Sequence, residues 1–280
     1  MLFDSHNHLQ VPALAPHLDA IAADLRGIGL ARAVVNGTAE TDWPDVAALA
    51  RRHAFVLPSF GLHPWFAGNR SPRWLDTLRA TLDAHPGAHV GEIGLDRWML
   101  ERARPGDPRL AGQRRAPLDE QTEVLRAQLA LAAVRNLAAS IHCVDAHGAL
   151  FEVLETTPLP ARGFLLHAWS GPVEMLPRLV ELGAYFSFNG YFLAENKQRL
   201  RDTFSRVPLD RLLVETDAPS LPPPKEYRTH ELPAPNQHLN HPANIAATHA
   251  ALARLRGVPL ETLAAAVAEN FARLFTARRG

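Results

Sequence analysis

The stretch Leu2-Phe3-Asp4-Ser5-His6-Asn7-His8 is a short strand-like run that ends in two imidazoles, and its pattern recurs along the chain. Alternate residues of a strand share a face, so His6 and His8 can point at one target. Imidazole or carboxylate side chains stand at the ends of six such apolar runs: His6 and His8, His63, Glu92, His142, His167 and Asp217. Six strand ends that offer such groups predict a metal centre in the mouth of a barrel.

Eight runs of strand length alternate with helical patterns, as a parallel α/β fold requires. The predicted strands are Leu2–His8, Ala33–Gly37, Phe55–Leu62, His89–Gly94, Ala139–Val144, Phe164–Ala168, Ala184–Phe188 and Arg211–Thr216. The predicted helices include Leu14–Ile28, Asp42–His53, Pro72–Ala84, Asp119–Asn136, Leu150–Glu155 and Val173–Leu182, followed by Pro242–Leu255 and Leu260–Phe275 in the tail. Eight alternations favour a single domain, residues 1–280, of the α/β class: a closed (β/α)8 TIM-like barrel with extra C-terminal helices.

Two stretches interrupt this alternation. Met99–Pro117 follows the fourth strand and is rich in Arg, Pro and Gly, and Ser220–His241 follows the eighth strand and is rich in proline. Both leave the C-terminal ends of strands, where barrel enzymes place loops that contact substrate. A solvated insertion without function is the alternative for Met99–Pro117.

The composition indicates the cellular compartment of the protein more clearly than its function. Lysine plus arginine and aspartate plus glutamate number 29 each, so the zero net charge gives no bulk argument for nucleic acid or membrane, although a local basic patch stays possible. The single cysteine, Cys143, excludes an internal disulfide and indicates a reducing compartment. No signal peptide pattern opens the chain, and no apolar run approaches the roughly 18–20 residues that span a bilayer. We expect a cytoplasmic protein without membrane contact; a monomer is favoured, with the oligomeric state left open.

Two carboxylates are the candidates for catalysis. A metal that activates water needs several N or O ligands and one open position. Glu92 carries two oxygens and can bridge two ions, and the glycines beside it, Gly91 and Gly94, allow close approach. Asp217 lies just past an apolar strand, where it can bind metal and accept a proton from the attacking water.

Two tryptophans follow directly after candidate site residues. Trp65 comes two positions after His63, and Trp169 comes two positions after His167. Aromatic rings in such places can stack on bases, as in proteins that bind single-stranded nucleic acid. They can equally form the wall of any hydrolase pocket. We regard both as candidate substrate contacts and leave the two interpretations open.

Six motifs occur in a characteristic order. They are Asp4-Ser5-His6-Asn7-His8-Leu9, Gly61-Leu62-His63-Pro64, Gly91-Glu92-Ile93-Gly94-Leu95-Asp96, Ile141-His142, His167-Ala168-Trp169-Ser170-Gly171 and Glu215-Thr216-Asp217-Ala218-Pro219. With the tail Asn270-Phe271-Ala272-Arg273-Leu274-Phe275, they resemble the TatD family of metal-dependent hydrolases, within the amidohydrolase superfamily, from residue 4 to residue 275.

The resemblance implies a deoxyribonuclease-like hydrolase with a two-metal site, using two divalent ions such as Mg²⁺, Mn²⁺ or Zn²⁺. The substrate would be DNA, attacked at its ends, or a small phosphodiester. The first ion would be bound by His6, His8, Glu92 and Asp217, and the second by Glu92, His142 and His167. His63 would face the phosphate of the substrate, and Asp217 would accept the proton of the attacking water.

The chain departs from the family pattern around the substrate. Val144 and His241 stand where the family usually has Arg and Glu, and Arg97 replaces an aromatic residue. Arg97, Arg102 or Arg104 are candidates to replace the missing cation. Two rival functions remain: an amide or ester hydrolase of the same superfamily acting on a small molecule, and a metal-binding barrel that has lost catalysis.

Overall fold

Eight parallel strands form one sheet in the order of the sequence, β1 to β8, in a computed structural model that describes residues 1–276. Neighbouring strands pair in parallel throughout, for example Ala33 with Val56 and Phe186 with Leu212. Each strand overlaps the one predicted from the sequence. The strands are Leu2–Asn7 (β1), Leu30–Asn36 (β2), Val56–Phe60 (β3), His89–Asp96 (β4), Ala139–Val144 (β5), Phe164–Leu166 (β6), Ala184–Asn189 (β7) and Leu212–Glu215 (β8).

The sheet curls until its first and last strands meet. The amide of Asp217, just after β8, donates to the carbonyl oxygen of His6 at 2.9 Å, and the amide of His8 donates to the carbonyl oxygen of Ala218 at 2.7 Å. Below them, Ser5 donates its hydroxyl to the carbonyl oxygen of Val214 at 2.9 Å. These bonds bring the two ends of the chain's strand series together, so the fold is a nearly closed (β/α)8 barrel of the TIM type.

Helices cover the outside of the barrel, and two more follow the last strand. They are Leu18–Gly27 (α1), Trp43–Arg52 (α2), Trp74–Ala84 (α3), Trp98–Glu101 (α4), Leu118–Arg135 (α5), His147–Thr156 (α6), Leu176–Glu181 (α7), Gln198–Arg206 (α8), Ile245–Arg256 (α9) and Leu260–Phe271 (α10). α4 and α8 have no counterpart among the predicted helices. The first predicted helix is split, because a 3₁₀ segment containing Pro16 precedes α1.

Two buried glutamines of α5 fix the ends of strands near the barrel mouth. Gln128 accepts from the amide of Leu62 at 2.7 Å and donates to its carbonyl oxygen at 3.1 Å. Gln121 accepts from the amide of Asp96 at 2.8 Å and donates to its carbonyl oxygen at 3.1 Å. Each side chain thus satisfies buried backbone groups of a residue at the end of β4 or just past the end of β3. Within residues 1–276, no helix is long and apolar enough to cross a membrane.

Candidate metal centre

The carboxyl ends of the strands bring the predicted site residues together. His6 lies in β1, Glu92 in β4 and His142 in β5, while His63, His167 and Asp217 follow β3, β6 and β8. Asp217 adopts a left-handed backbone conformation, φ 53°, a region that aspartate enters more readily than most residues. His142 is half-buried and the other five are buried. Residues separated by about 200 positions in sequence therefore converge at one end of the barrel.

One oxygen of Glu92 faces a first group of ligand atoms. Glu92 Oε2 lies 3.2 Å from His8 Nε2 and 3.5 Å from His6 Nε2. Asp217 Oδ1 lies 3.3 Å from His8 Nε2 and 3.7 Å from His6 Nε2. The two imidazole nitrogens are themselves 3.2 Å apart. Two nitrogens and two carboxylate oxygens thus surround one small volume, the donor set that a divalent transition metal prefers.

The other oxygen of Glu92 faces a second group. Glu92 Oε1 lies 2.8 Å from His167 Nε2 and 3.0 Å from His142 Nδ1, and these two nitrogens are 3.3 Å apart. The two oxygens of one carboxylate therefore point into two different nitrogen clusters. A carboxylate that bridges two ions requires this arrangement.

The hydrogen bonds behind the imidazoles leave lone pairs directed into the site. His8 Nδ1 lies 2.8 Å from the carbonyl oxygen of Asn36, to which it donates, so its Nε2 is free to ligate. His142 Nε2 lies 3.2 Å from Asp96 Oδ2, so its Nδ1 faces Glu92 unprotonated when a metal is bound. The donor atoms present therefore fit the binding of divalent metal.

Electrostatics supports the same conclusion. Burial lowers the pKa of His8, but contacts with Asp217 and Glu92 outweigh burial and raise that pKa to about 10. Burial also lowers the pKa of His142, but Asp96 and Glu92 outweigh burial and raise that pKa to about 9. Burial raises the pKa of Glu92, yet the surrounding histidines hold it well below its usual range. The carboxylates thus create a negative field that favours cations, either protons on imidazole or metal ions.

His63 stands at the edge of the second group. Its Nε2 lies 3.5 Å from Glu92 Oε1, and its ring contacts that of His142. The amide of Trp65 donates to His63 Nδ1 at 3.2 Å, so a neutral ring carries its proton on Nε2. In that state His63 can donate a hydrogen bond from Nε2, although it also groups with Glu92 and His142 closely enough to hold a metal ion. Its role beside the substrate stays a prediction.

The two tryptophans named from the sequence occupy different environments. Trp65 is half-buried at the barrel mouth, and its Nε1 donates to Asp96 Oδ2 at 2.5 Å. Trp169 is only 2 % exposed and packs edge-on against Phe186 and His147. Substrate contact by either ring stays a prediction, and the observed contacts of Trp169 are those of a core residue.

Several polar side chains that support the ligands were not predicted from the sequence. Ser140 Oγ lies 2.8 Å from His6 Nδ1, and Asn36 Nδ2 lies 3.1 Å from the same nitrogen. Asp96 accepts from the amide of Met99 at 2.9 Å and also contacts His142. Polar residues at inward-facing strand positions are the signal that would have found Ser140 and Asn36.

His241, left out of the ligand set, lies away from the centre. Its Nε2 is 3.4 Å from Asp24 Oδ2 of α1, and its Nδ1 accepts from the amide of Ala243 at 3.1 Å. This residue therefore caps the short turn before α9 and contacts α1.

Relatives of this chain match it over nearly its full length. The 3'-5' ssDNA/RNA exonuclease TatD of Enterobacter lignolyticus is 30% identical over 98% of this chain and 98% of that protein. The uncharacterized metal-dependent hydrolase YabD of Bacillus subtilis is 28% identical over 98% of this chain and 99% of that protein. The crystal structure of the Escherichia coli TatD homolog YjjV has a TM-score of 0.83 and 28% identity, covering 99% of this chain and 98% of that one. A family model described as TatD related DNase matches residues 3–276, and the chain belongs to this family of metal-dependent hydrolases.

Proposed function

We propose that this protein is a two-metal phosphodiesterase that removes nucleotides from the ends of single-stranded nucleic acid. The observation that carries the proposal is the orientation of Glu92, whose two oxygens face separate groups of ligand nitrogens at 3.2 Å and 2.8 Å. Two-metal sites of this kind are common among phosphatases and nucleases. The names of several relatives, 3'-5' ssDNA/RNA exonuclease TatD, support a nucleic-acid substrate.

The residues divide the chemical tasks between them. Bound at the two positions, divalent ions would neutralise charge on the phosphoryl oxygens and acidify the attacking water. Asp217 would accept the proton of that water, because contact with His8 overcomes burial and holds the pKa of Asp217 below its usual value, so the carboxylate is ionised. His63, which carries a proton on Nε2 when neutral, would donate a hydrogen bond to a phosphoryl oxygen of the substrate.

Hydrolysis by the purified protein tests this proposal. The protein is supplied with Mg²⁺, Mn²⁺ or Zn²⁺ and offered a labelled single-stranded DNA 12-mer, bis-p-nitrophenyl phosphate and a panel of amides. We expect the DNA to shorten from one end, and Asp217→Asn to lower the rate by roughly 100-fold or more, as for the loss of a general base.

A matched control is Asp210→Asn, which changes an exposed carboxylate next to the start of β8, at the opposite end of the barrel. It should leave the rate unchanged. Turnover of amides alone would refute the proposed nuclease function. Full activity of Asp217→Asn would show that Asp217 is not the proton acceptor.

A further inference from the structure

The segment after β4, residues 97–115, is basic although the whole chain is neutral. It contains six arginines and two acidic residues, Glu101 and Asp107, which leaves a net charge of +4 within 19 positions. The segment leaves the carboxyl end of β4, so it lies on the same side of the barrel as the metal centre.

This segment is folded and is not a solvated coil. Met99, Ala103 and Leu110 form a buried cluster of their own, against which Trp65 and Trp98 pack. Arg115 ties the segment together by donating to the carbonyl oxygens of Ala103 at 3.2 Å and Arg104 at 2.9 Å. A local core and backbone contacts of this kind fix the positions of the exposed side chains.

A row of aromatic rings connects the metal centre with the segment. The ring centroid of His63 lies 5.5 Å from that of Trp65, which in turn lies 6.0 Å from that of Trp98. The guanidinium of Arg109 stacks over Trp98 at 4.3 Å and is held there by Asp107 at 2.7 Å. Trp98 is therefore one aromatic side chain away from the histidine that faces the substrate.

Next to Trp98 the segment encloses an open cleft of about 420 Å³. Trp98, Arg102, Arg104 and Arg109 line it together with residues 105–108. Its volume lies within the range of roughly 300–1,000 Å³ that small-molecule sites occupy, which is enough for one nucleotide.

Two arginines of the cleft are available to a ligand. The Arg102 side chain is 68% exposed and reaches only the partly exposed Asp145, at 3.3 Å. The guanidinium of Arg104 is exposed and has no hydrogen-bond or ion-pair partner among residues 1–276. Exposed arginines beside an aromatic ring are the combination by which proteins hold single strands, with arginine on the phosphates and the ring on a base.

We propose that residues 97–115 form a docking surface for a single-stranded polynucleotide, in which Trp98 contacts a base and Arg102 and Arg104 bind phosphates beyond the cleaved nucleotide. This inference rests on the proposed nuclease function, since it extends the substrate of the same site. It also accounts for Arg97 and its neighbours in a loop where the family pattern carries an aromatic residue.

Binding of a fluorescent single-stranded DNA 12-mer, followed by anisotropy with Mg²⁺ present, tests the proposal. An Asp217→Asn background stops cleavage, so the result does not depend on nuclease activity. Arg102→Ala/Arg104→Ala should raise the dissociation constant about tenfold. The same variant should make the slope of log affinity against log salt shallower by about 0.7 for each phosphate that the protein no longer neutralises. Trp98→Leu should raise the dissociation constant about tenfold as well, whereas Trp98→Phe should retain most of the affinity.

The control is Arg51→Ala/Arg206→Ala, which also removes two exposed arginines. These residues lie in the last turns of α2 and α8, the helices that lead into the starts of β3 and β8, so they lie at the opposite end of the barrel. The control should change the dissociation constant less than twofold. The docking surface would be overturned if both double variants weakened binding equally. It would also be overturned if Arg102→Ala/Arg104→Ala or Trp98→Leu failed to weaken binding, or if the protein did not bind the 12-mer at all. A thymidine mononucleotide that competes as well as the 12-mer would do the same. Failure of the unmutated enzyme to cleave DNA would refute the nuclease separately.

Discussion

Asp96 Oδ2 lies 3.2 Å from His142 Nε2, while the other nitrogen of the same ring lies 3.0 Å from Glu92 Oε1. The imidazole is thus held between two carboxylates, of which Asp96 orients it and Glu92 would share a metal ion with it. Trp65 donates to the same oxygen of Asp96, so Asp96 links the orientation of His142 to the position of the Trp65 ring. Carboxylates behind a metal-binding histidine fix its tautomer and increase its basicity.

We predict that Asp96→Asn weakens metal binding at the second position by roughly 10–100-fold. Asparagine keeps an oxygen for the amide of Met99, so the loop should remain folded. Asp119→Asn, an exposed carboxylate in the first turn of α5, is the matched control and should bind both ions normally. Calorimetric titration with Mn²⁺ or Zn²⁺ measures both affinities; unchanged affinity in Asp96→Asn would contradict the orienting role.

Glu92→Gln tests the bridge itself. Glutamine retains one carbonyl oxygen but loses the negative charge of Glu92. The histidines stabilise that charge, since they outweigh burial and hold the pKa of Glu92 well below its usual range. We expect the variant to bind at most one ion per chain and to lose hydrolysis by about 100-fold or more. Elemental analysis of the protein after dialysis gives the ion count. A variant that still holds two ions would show that Glu92 is not shared.

The strands and their polar ends could be predicted because both depend on local patterns. Each strand is a short apolar run, and parallel strands in a barrel place all their carboxyl ends at one mouth. This topology is sufficient to bring His6 and Asp217 together without knowledge of any contact. The distances from the two oxygens of Glu92 to the two groups of histidine nitrogens could not be predicted, since they depend on side-chain orientation.

Features that depend on distant partners were missed. Residues 198–206 were not predicted as a helix, although Leu200 and Phe204, which pack into the core, stand four positions apart on one helix face. In the basic segment, Trp65 packs against the buried cluster of Met99, Ala103 and Leu110. A local sequence pattern does not predict a loop core that includes a residue more than 30 positions away.

Gln128 offers a prediction that links the fold to the site. Its amide satisfies both backbone groups of Leu62, the residue before His63, at 2.7 Å and 3.1 Å. Gln128→Met would leave those two buried groups unpaired, at a cost of about 2–5 kcal/mol in the free energy of unfolding. Urea denaturation measures the loss. Gln198→Met, on an exposed position of α8, should cost less than about 0.5 kcal/mol; equal losses in both variants would mean that the Leu62 contacts do not matter.

His249 of α9 is fully buried, and its Nδ1 lies 3.0 Å from the carbonyl oxygen of Ile245. Burial lowers the pKa of His249 to about 4 from the ordinary value of 6.5. Between these two values the unfolded chain binds a proton that the folded chain excludes, so the contribution of His249 to stability is present above pH 6.5 and is lost as the pH falls towards 4.

From pH 7 to pH 5 this linkage amounts to about 2 kcal/mol of unfolding free energy. His249→Leu removes the titrating group, so its stability should decrease less over that interval than the stability of the unmutated protein. Urea unfolding at the two pH values, with the metal content held constant, gives the comparison. His53→Leu is a control at a partly exposed imidazole. Burial lowers the pKa of His53 as well, but the ring is far less buried, so His53→Leu should reduce the pH dependence less than His249→Leu does. Parallel losses in His249→Leu and the unmutated protein would show that the acid sensitivity of the fold originates in other groups.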